Sequence, residues 1–224
     1  MGFFDFLFSP PGKKAEFVLA YEAAFGNKIP ASRGLGLLPF VILDTETTGL
    51  SPKSDYILSF GAVKLKGFQL SMEDAMECYL QTPRRSREAI EVHEILRPEE
   101  LITLEDFAER FLSYIGSSII VGHHVGFDLE MLTKALKPFG FRKFLNPVLD
   151  THSLAVRLEK GPHYDSSMGK PGEYSLDSLC ERYQICLDDR HTASGDAFLT
   201  AQLLMKLLKL ADKKGISSYG ELIR

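Results

Sequence analysis

The stretch FVILDTETTGL, residues 40–50, decides the fold of this chain. Its first four residues are apolar and the run ends at Thr48-Gly49, a pattern that predicts a buried strand entering a turn. Because side chains on a strand alternate between its two faces, Asp44 and Glu46 should project to the same side at the strand's end. The stretch therefore predicts two neighbouring carboxylates at one edge of a sheet.

These two carboxylates need a partner. No Lys or Arg occurs between Leu37 and Pro52 to neutralise them locally. Acids beside apolar residues are costly to bury unless they are paired, protonated or bound to a cation. Neighbouring carboxylates suit hard, oxygen-liganded ions such as Mg²⁺ or Mn²⁺. The alternative is a solvated acidic pair at a strand edge.

A second stretch carries another acid. A strand-like run over residues 118–121 is followed by GHHVG and then by Asp128, which begins a helical pattern. In that pattern Leu129, Leu132 and Leu136 share one face. Asp128 is a further candidate cation ligand, although an acid in the first turn of a helix also complements the helix dipole.

The third stretch is HTASGDAFLTAQ, residues 191–202. Thr192 or Ser194 can cap a helix whose apolar residues recur at helical spacing. Asp196 then lies in the first turn of the helix and His191 in the loop before it, so both can face one cleft. A lone histidine before a helix is usually a surface or capping residue, and it is the conjunction with the four acids that favours a functional site.

Three blocks occur in order along the chain: DTETTG (44–49), HHVGFD (123–128) and HTASGDA (191–197). Their patterns, D-x-E-T-T-G, H-x-x-x-F-D and H-x-A-x-x-D-A, resemble the DEDDh 3'-5' exonucleases, the family that includes the proofreading epsilon subunit of bacterial DNA polymerase III. The resemblance covers most of residues 38–210. Further similarity lies in segments 57–65, 92–95, 149–155 and 174–183.

The resemblance implies a ribonuclease H-like α/β fold, in which a mixed β-sheet is flanked by helices and the acids lie at strand ends and helix starts. The chain supports this fold independently, because strand-like runs alternate with helical patterns. The predicted strands are 40–43, 57–65, 76–80, 118–121 and 147–149. The predicted domains are an extension over 1–35, an exonuclease domain over 36–212 and a tail over 213–224.

The resemblance also implies a mechanism, the hydrolysis of a phosphodiester at a 3' end by two metal ions about 3.5–4 Å apart. Asp44 would bridge both ions, Glu46 and Asp196 would hold the ion on the nucleophile side, and Asp128 would hold the other. His191 would be the general base, because an ordinary histidine has a pKa near 6.5 and accepts a proton at neutral pH.

Substrate contacts follow from the same resemblance. Thr47, Thr48 and Leu50 would meet the terminal nucleotide, with Leu50 wedged between the last bases. His123 would contact the substrate, and Phe127 would stack on a base, as aromatic side chains do with single strands. For Leu50 and Phe127 the alternative is ordinary core packing.

The chain departs from the family pattern at two positions. His124 stands where the family usually has Asn, which leaves the acid of that block in place. Ser59 stands where the second strand commonly carries Glu. A related subfamily places a tyrosine four residues before the last aspartate, where this chain has Thr192, so the histidine version is favoured.

Composition is typical of a cytoplasmic enzyme without a membrane anchor. The chain has 224 residues, 45% of them hydrophobic, which is enough for a core of ordinary size. Its formal net charge of −4 argues against a strong non-specific nucleic-acid coat. Three cysteines, none in a Cys-x-x-Cys pair, indicate a reducing compartment and no zinc site.

The amino-terminal segment has two interpretations. Residues 1–14 are too short an apolar run for a membrane span and lack a myristoylation signal. Residues 15–25 then read as an amphipathic helix with one apolar face, formed by Phe17, Ala20, Tyr21 and Ala24. The helix either folds back on its own domain or docks a partner, such as a DNA polymerase or a second copy of the chain.

Two further regions carry weaker signals. Basic residues occur over 83–87 and at Lys134, Lys137, Arg142 and Lys143, where they would track phosphates or form a solvated surface. Residues 161–173 are rich in Gly, Pro and Ser and predict a flexible loop, which either gates the substrate or is a solvated insertion.

The favoured function is therefore a Mg²⁺- or Mn²⁺-dependent 3'-5' exonuclease that acts on single-stranded DNA ends in proofreading, repair or end trimming. One alternative is an RNA trimmer like ribonuclease T or oligoribonuclease, since recognition of RNA depends on contacts to a 2'-hydroxyl. The other is a nucleic-acid-binding module that has kept the fold without catalysis.

Overall fold

The computed structural model of the chain describes residues 14–83, 101–164 and 169–224. Segment 92–95 of the resemblance and most of the basic run at 83–87 lie outside these ranges. The described strands form one six-stranded sheet. They are β1 Phe40–Thr47, β2 Ile57–Lys66, β3 Gln69–Leu80, β4 Leu101–Ile102, β5 Ile119–Gly122 and β6 Val148–Asp150.

The sheet is mixed, with the strand order β4-β3-β2-β1-β5-β6. Strand β5 runs parallel to both β1 and β6. Strand β2 is antiparallel to both β1 and β3, and β4 is parallel to β3. The predicted mixed sheet of an α/β fold is confirmed.

Helices cover both faces of the sheet because β1 is apolar on both of its sides. Phe40 and Ile42 pack in one core cluster with the helices that follow β6, whereas Val41 and Leu43 pack in a second cluster with the earlier helices. This is a three-layer arrangement. The helices are α1 Glu16–Ala23, α2 Leu104–Ile115, α3 Gly126–Leu136, α4 Thr151–Lys160, α5 Leu176–Arg182, α6 Ala193–Lys213 and α7 Tyr219–Leu222.

The strand predictions differ from the structure mainly in β3 and β4. Strand β3 begins at Gln69 rather than at 76, and its first residues are largely exposed. They form a strand because they pair with the end of β2, at Leu65↔Leu70 and Lys66↔Gln69, and not because they bury an apolar face. Strand β4 was not predicted, since two residues are too few to show a pattern.

The predicted amino-terminal helix forms as α1, but its packing face differs from the prediction. Val18 and Tyr21 are buried, while Ala20 and Ala24 are exposed. The helix packs against α2 and belongs to the second core cluster. It therefore folds back on its own domain.

The carboxyl ends of β1, β5 and β6 meet at one edge of the sheet, because these strands are parallel. Helices α3 and α4 begin close to that edge, directly after β5 and β6. In open α/β sheets ligands bind outside the carboxyl ends of parallel strands. This edge is where a functional site is expected.

Two smaller features complete the fold. Within the described ranges, no helix has both the length and the apolar character needed to cross a bilayer. Cys78 and Cys180 are buried and Cys186 is exposed, and all are free thiols.

Candidate active site

Three of the predicted carboxylates meet at the edge of the sheet. Asp44 and Glu46 lie on the face of β1 that carries Phe40 and Ile42, and Asp196 lies in the first turn of α6, which packs on that face. One carboxylate oxygen from each of these acids lies within 4.8 Å of the others. Residues far apart in sequence thus form one acidic cluster, which we call the carboxylate cluster (Asp44, Glu46, Asp196).

Asp128 reaches the same strand from the opposite side. Its helix, α3, packs in the second core cluster, so the carboxylate approaches β1 on the Thr45 side. The Asp128 Oδ1 accepts hydrogen bonds from the Thr45 backbone N–H at 3.0 Å and from the Thr45 hydroxyl at 2.6 Å. Asp128 therefore lies beside the carboxylate cluster but outside its 4.8 Å group.

Asp44, Glu46 and Asp128 hold protons more tightly than ordinary carboxyl groups. Burial is the main reason that the pKa of Glu46 rises to about 7, and repulsion from Asp196 and Asp128 adds to it. Burial likewise raises the pKa of Asp44 well above its usual range, and that of Asp128 to about 6. Perturbed carboxyl groups of this kind cluster at functional sites.

Arg190 supplies a positive charge that the sequence analysis did not identify. Its guanidinium donates to Asp196 Oδ2, and also to Asp177 at the start of α5, where Nε lies 2.5 Å from Oδ1. These hydrogen bonds raise the pKa of Arg190, and the hydrogen bond to Asp177 has the largest effect. The only signal in the sequence was its position directly before His191.

The donor set fits a divalent cation. The second carboxylate oxygen of Asp196, Oδ1, is buried and has no hydrogen-bond partner among the described residues. A buried carboxylate oxygen without a donor is costly unless a cation binds it. Asp44 and Glu46 add carboxylate oxygens within ligand distance, and oxygen ligands of this type favour Mg²⁺ or Mn²⁺.

A glycine brings α6 close enough to the sheet to form the cluster. Gly61 pairs with Asp44 in the register of β1 and β2. A Cβ atom at Gly61 would lie 2.3 Å from the backbone of both Ala193 and Ser194, a separation that real atoms do not reach. The first turn of α6, which carries Asp196, can therefore rest directly on the strand beside Asp44.

His191 lies in the loop just before α6, as predicted, and its side chain is exposed. Its backbone is left-handed, with φ at 66°, which is uncommon for a residue other than glycine. Thr192 fixes the loop, because its hydroxyl accepts from Gly195 N–H at 3.0 Å and donates to the Asp189 carbonyl at 2.9 Å. The role of His191 as a general base stays a prediction.

The turn predicted to meet the terminal nucleotide is held by its own hydrogen bonds. The Thr47 hydroxyl donates to the Gly49 carbonyl at 2.8 Å, and the Thr48 hydroxyl donates to the Asp55 carboxylate at 3.0 Å. Leu50 at the tip is 88% exposed, so core packing does not account for it. The turn presents an apolar side chain on a rigid frame.

His123 and Phe127 lie deeper than Leu50. The Nδ1 of His123 forms a hydrogen bond with the Thr151 hydroxyl at 2.9 Å, and burial lowers the pKa of His123 to about 4. Phe127 is half-buried and packs against the second core cluster. Both side chains therefore have structural contacts, and their roles in substrate binding stay predictions.

The structure describes four of the residues in the predicted basic surface. Lys134 is tied to the substrate turn, since its Nζ donates to the Asp55 carbonyl at 2.5 Å and lies 4.6 Å from the centre of the Tyr56 ring. Lys137, Arg142 and Lys143 are exposed. Arg84, Arg85 and Arg87 lie outside the described residues.

Comparison with known proteins identifies the class of protein that this fold and site define. The exonuclease family RNase_T matches residues 41–204, a range that includes the four acids and His191. The chain belongs to this exonuclease family. The resemblance read from the three sequence blocks is confirmed.

Its curated relatives include large bacterial polymerases. "DNA polymerase III PolC-type" of Thermotoga maritima is 33% identical over 186 residues, which are 82% of this chain and 13% of the relative. The Bacillus subtilis protein of the same name is 35% identical, covering 82% of this chain and 12% of the relative. "DNA polymerase III subunit epsilon" of Aquifex aeolicus is 29% identical over 83% of this chain and 88% of the relative. The chain thus spans a small fraction of the length of the PolC-type relatives.

Solved structures share the fold. Escherichia coli Exonuclease I in complex with a dT13 oligonucleotide has a TM-score of 0.63 and 18% identity, over 80% of this chain and 42% of that one. Exonuclease X in complex with 5' overhanging duplex DNA has a TM-score of 0.57 and 22% identity, over 83% of this chain and 99% of that one. These likenesses confirm the expected ribonuclease H-like α/β fold.

Proposed function

We propose that this chain is a Mg²⁺- or Mn²⁺-dependent 3'-5' exonuclease that releases nucleoside monophosphates from the 3' ends of single-stranded DNA. The observation that carries the proposal is the carboxylate cluster, in which three acids offer oxygens within 4.8 Å of one another. Asp196 Oδ1 is buried there without a donor in the part of the chain that the structure describes, and Asp128 lies beside the cluster. An acidic cluster of this kind suits a divalent cation.

In this proposal each residue has a separate task. Asp44, Glu46 and Asp196 hold cations from one face of β1, and Asp128 adds a ligand from the other. Divalent ions bound there would activate the attacking water and stabilise the leaving 3'-oxygen. His191 accepts the proton of the water, and its exposed position lets it pass that proton to solvent. Thr48 and Leu50 position the terminal nucleotide, and Leu50 separates its base from the next.

We propose DNA as the preferred substrate because the matching proteins are DNA polymerase III proteins or exonucleases solved in complex with DNA. Exonuclease I and Exonuclease X were solved with DNA, and the curated relatives are DNA polymerase III proteins. The same names support a DNA polymerase as partner. The alternatives from the sequence are trimming of RNA 3' ends and nucleic-acid binding without catalysis.

The activity test uses one oligonucleotide sequence, labelled at its 5' end and prepared as DNA and as RNA. With Mg²⁺, a 3'-5' exonuclease gives a ladder of shortened labelled products, whereas attack from the 5' end releases the label at once. Excess chelator should abolish the ladder and added Mn²⁺ should restore it. Undiminished cleavage in chelator, or no cleavage of either strand with metal, would contradict the proposal.

Matched variants on one helix tie the activity to the carboxylate cluster. Asp196→Asn, at the start of α6, should lose at least a hundredfold in rate, because a positioned metal ligand is lost. Asp212→Asn changes an exposed acid near the end of the same helix and should leave the rate unchanged. Equal cleavage rates in the two variants would show that Asp196 is not part of the active site.

The proposed base is separated from the proposed ligands by metal titration. His191→Ala should lose catalysis but keep the affinity for Mn²⁺, because the imidazole is assigned to proton transfer. Asp196→Asn should lose both. Isothermal calorimetry of the two folded variants measures this difference, and loss of Mn²⁺ binding in His191→Ala would make the histidine a ligand instead.

A further inference from the structure

A pocket lies at the same edge of the sheet, outside the carboxylate cluster. It has a volume of about 250 Å³ and is lined by the turn after β5, the start of α4 and the segment before α5. We call it the ring pocket, after His124, His152 and Tyr174, whose side chains line it. Lys170 lines it as well.

The three rings of the pocket lie close together, and further contacts hold the Tyr174 ring in place. His124 and His152 have ring centres 4.3 Å apart, and Tyr174 lies 6.0 Å from His152 at a steep angle. The Tyr174 hydroxyl donates to Glu159 at 3.0 Å, and the Arg182 guanidinium lies 5.0 Å from the Tyr174 ring centre. A wall that is already held in place, as Tyr174 is, needs little ordering when a ligand binds.

The ring pocket continues the edge that carries the acids. Strand β5 lies between β1 and β6, and Gly122 at its end pairs with Asp150 at the end of β6. Since neighbouring strands lie about 4.8 Å apart, β1 and β6 are separated by roughly 10 Å across β5 at the level of Ile42 and Leu149. Asp150 also accepts a hydrogen bond from Val125 N–H at 3.0 Å, which joins the turn after β5 to the start of α4.

The chemistry of the pocket matches a flat, uncharged ring. Burial, and then the neighbouring His124, lower the pKa of His152, so its imidazole is neutral at neutral pH. Neutral aromatic side chains stack on nucleobases irrespective of sequence, because every base has a π-face. Lys170 provides a positive charge for a phosphate, while Glu173, which also lines the pocket, is paired with Lys160 at 3.2 Å. The volume lies below the roughly 300–1,000 Å³ of pockets for drug-sized ligands, which fits a single base.

We propose that the ring pocket binds an unpaired nucleobase of the substrate strand, upstream of the 3'-terminal nucleotide. The inference rests on the proposed function, since it places a second contact on the strand whose end lies at the carboxylate cluster. Two contacts separated along the sheet edge select a flexible single strand, which can bend its bases out of a stack.

The test scans a single-stranded DNA with one abasic site at successive positions from its 3' end. Binding is measured by fluorescence anisotropy in the Asp44→Asn background, which prevents cleavage. One upstream abasic position should weaken binding about tenfold, the range of a lost stacking contact. In His152→Ala the intact strand should bind weakly, and the abasic site at that position should have no further effect.

Two other variants sharpen the test. His124→Asn removes a second ring and keeps a residue that tolerates the left-handed backbone at this position, where φ is 60°. His163→Ala changes an exposed histidine that does not line the pocket, and it should preserve the wild-type abasic profile. Circular dichroism of each variant checks that it is folded.

The outcomes distinguish the two proposals. If the wild type shortens DNA but the abasic scan shows no upstream position that depends on His152 or His124, the ring pocket does not bind a base. If the wild type fails to shorten any oligonucleotide with metal, the proposed function itself fails. An abasic effect that persists unchanged in both ring variants assigns the contact to another surface.

Discussion

At the scale of single residues, the acids of the site set the response of the protein to pH. Glu46 has a pKa near 7 and Asp128 near 6, so the folded, metal-free protein keeps protons that the unfolded chain releases. Burial is the largest cause in both residues. At these two carboxyl groups the folded state therefore binds more protons than the unfolded state, and their contribution to stability falls as the pH rises. His123, whose pKa burial lowers to about 4, contributes in the opposite direction.

Glu46→Gln tests this linkage. In metal-free buffer the contribution of Glu46 to the free energy of unfolding should fall as the pH rises from 4.5 to about 7, the interval between its ordinary and its folded pKa. Compared with the wild type, Glu46→Gln should lack a fall on the order of 1 kcal/mol across this interval, a value discounted because Glu46 is partly exposed. Urea unfolding at stepped pH measures both slopes.

The control is Glu16→Gln, an exposed acid in α1, which should keep the wild-type slope. Saturating Mg²⁺ should reverse the slope in the wild type, because a cation binds the deprotonated carboxylates of the folded state. A wild-type slope that Glu46→Gln leaves unchanged would contradict the linkage.

Arg190 gives a second prediction at this scale. Arg190→Ala removes the positive charge that contacts Asp196 and leaves a buried carboxylate without its partner. The metal-free variant should lose roughly 3 kcal/mol of stability, as when one member of a buried ion pair is deleted. Saturating Mg²⁺ should recover most of the loss, since the cation then neutralises Asp196.

Arg182→Ala is the matched control. Arg182 pairs with Glu159 at 2.7 Å, away from the carboxylate cluster. Arg182→Ala should lose less stability, because the Arg182–Glu159 pair is more exposed, and Mg²⁺ should not restore the lost stability. Thermal unfolding of both variants with and without Mg²⁺ measures these losses of stability. A loss in Arg190→Ala that Mg²⁺ does not reduce would contradict the prediction.

At the scale of elements, the sequence predicted those strands whose own side chains bury apolar surface. The run Phe40–Leu43 has apolar residues for both core clusters, so β1 was evident. The first half of β3 was not, because its exposed residues are held by backbone pairing with β2. In α1 the predicted face placed Ala20 inward, whereas the contact with α2 favours Val18.

The sequence predicted the acids of the candidate site but not the residues that hold them in place. Alternation along β1 placed Asp44 and Glu46 on one side, and the start of α6 placed Asp196 in the first turn. Arg190 and Gly61 were not identified, because their importance lies in contacts with residues distant in sequence. Such contacts depend on how α6 crosses the sheet, which no local pattern encodes.

Helix α1 is expected to stabilise the domain. The Tyr21 hydroxyl donates to Asn146 Oδ1 at 2.6 Å and accepts from Leu145 N–H at 2.8 Å. Tyr21→Phe leaves both groups without this partner and should cost roughly 2 kcal/mol. For a chain of this size that is a fall in Tm of about 4–8 °C. Calorimetry measures it, and cleavage at lower temperature should be unchanged.

Tyr114→Phe is the comparison, because its hydroxyl makes one longer hydrogen bond, to the Ala62 carbonyl at 3.3 Å. Its fall in Tm should be clearly smaller. Equal shifts for the two variants would mean that the Tyr21 contacts contribute little to stability. In that case docking of a polymerase or of a second copy through α1 would become the better interpretation of the helix.

At the scale of the whole molecule, the formal charge of −4 limits how the chain meets a polyanion. Attraction to the phosphate backbone must come from a few local positive groups rather than from the overall field. Binding to a single strand should then engage only two or three phosphates. The contacts at the strand's end and in the ring pocket supply the remaining affinity.

The salt dependence of binding tests this expectation. For single strands the slope of log K against log salt is about −0.7 per phosphate contacted, so we expect a slope of about −2 or shallower. Anisotropy titrations of an Asp44→Asn variant between about 50 and 200 mM salt measure it. A slope of about −4 or steeper would reveal an extended phosphate track, such as one through Lys137, Arg142 and Lys143.

The backbone contact at Gly61 also constrains how the sequence can diverge. Any side chain there would overlap the first turn of α6, while Gly126, whose Cβ would meet nothing within 4 Å, has free space. In a library of random variants selected for folding and metal binding, position 61 should return glycine alone and position 126 a broad mixture. The distance between Asp44 and Asp196 thus depends on Gly61, a residue that has no functional group of its own.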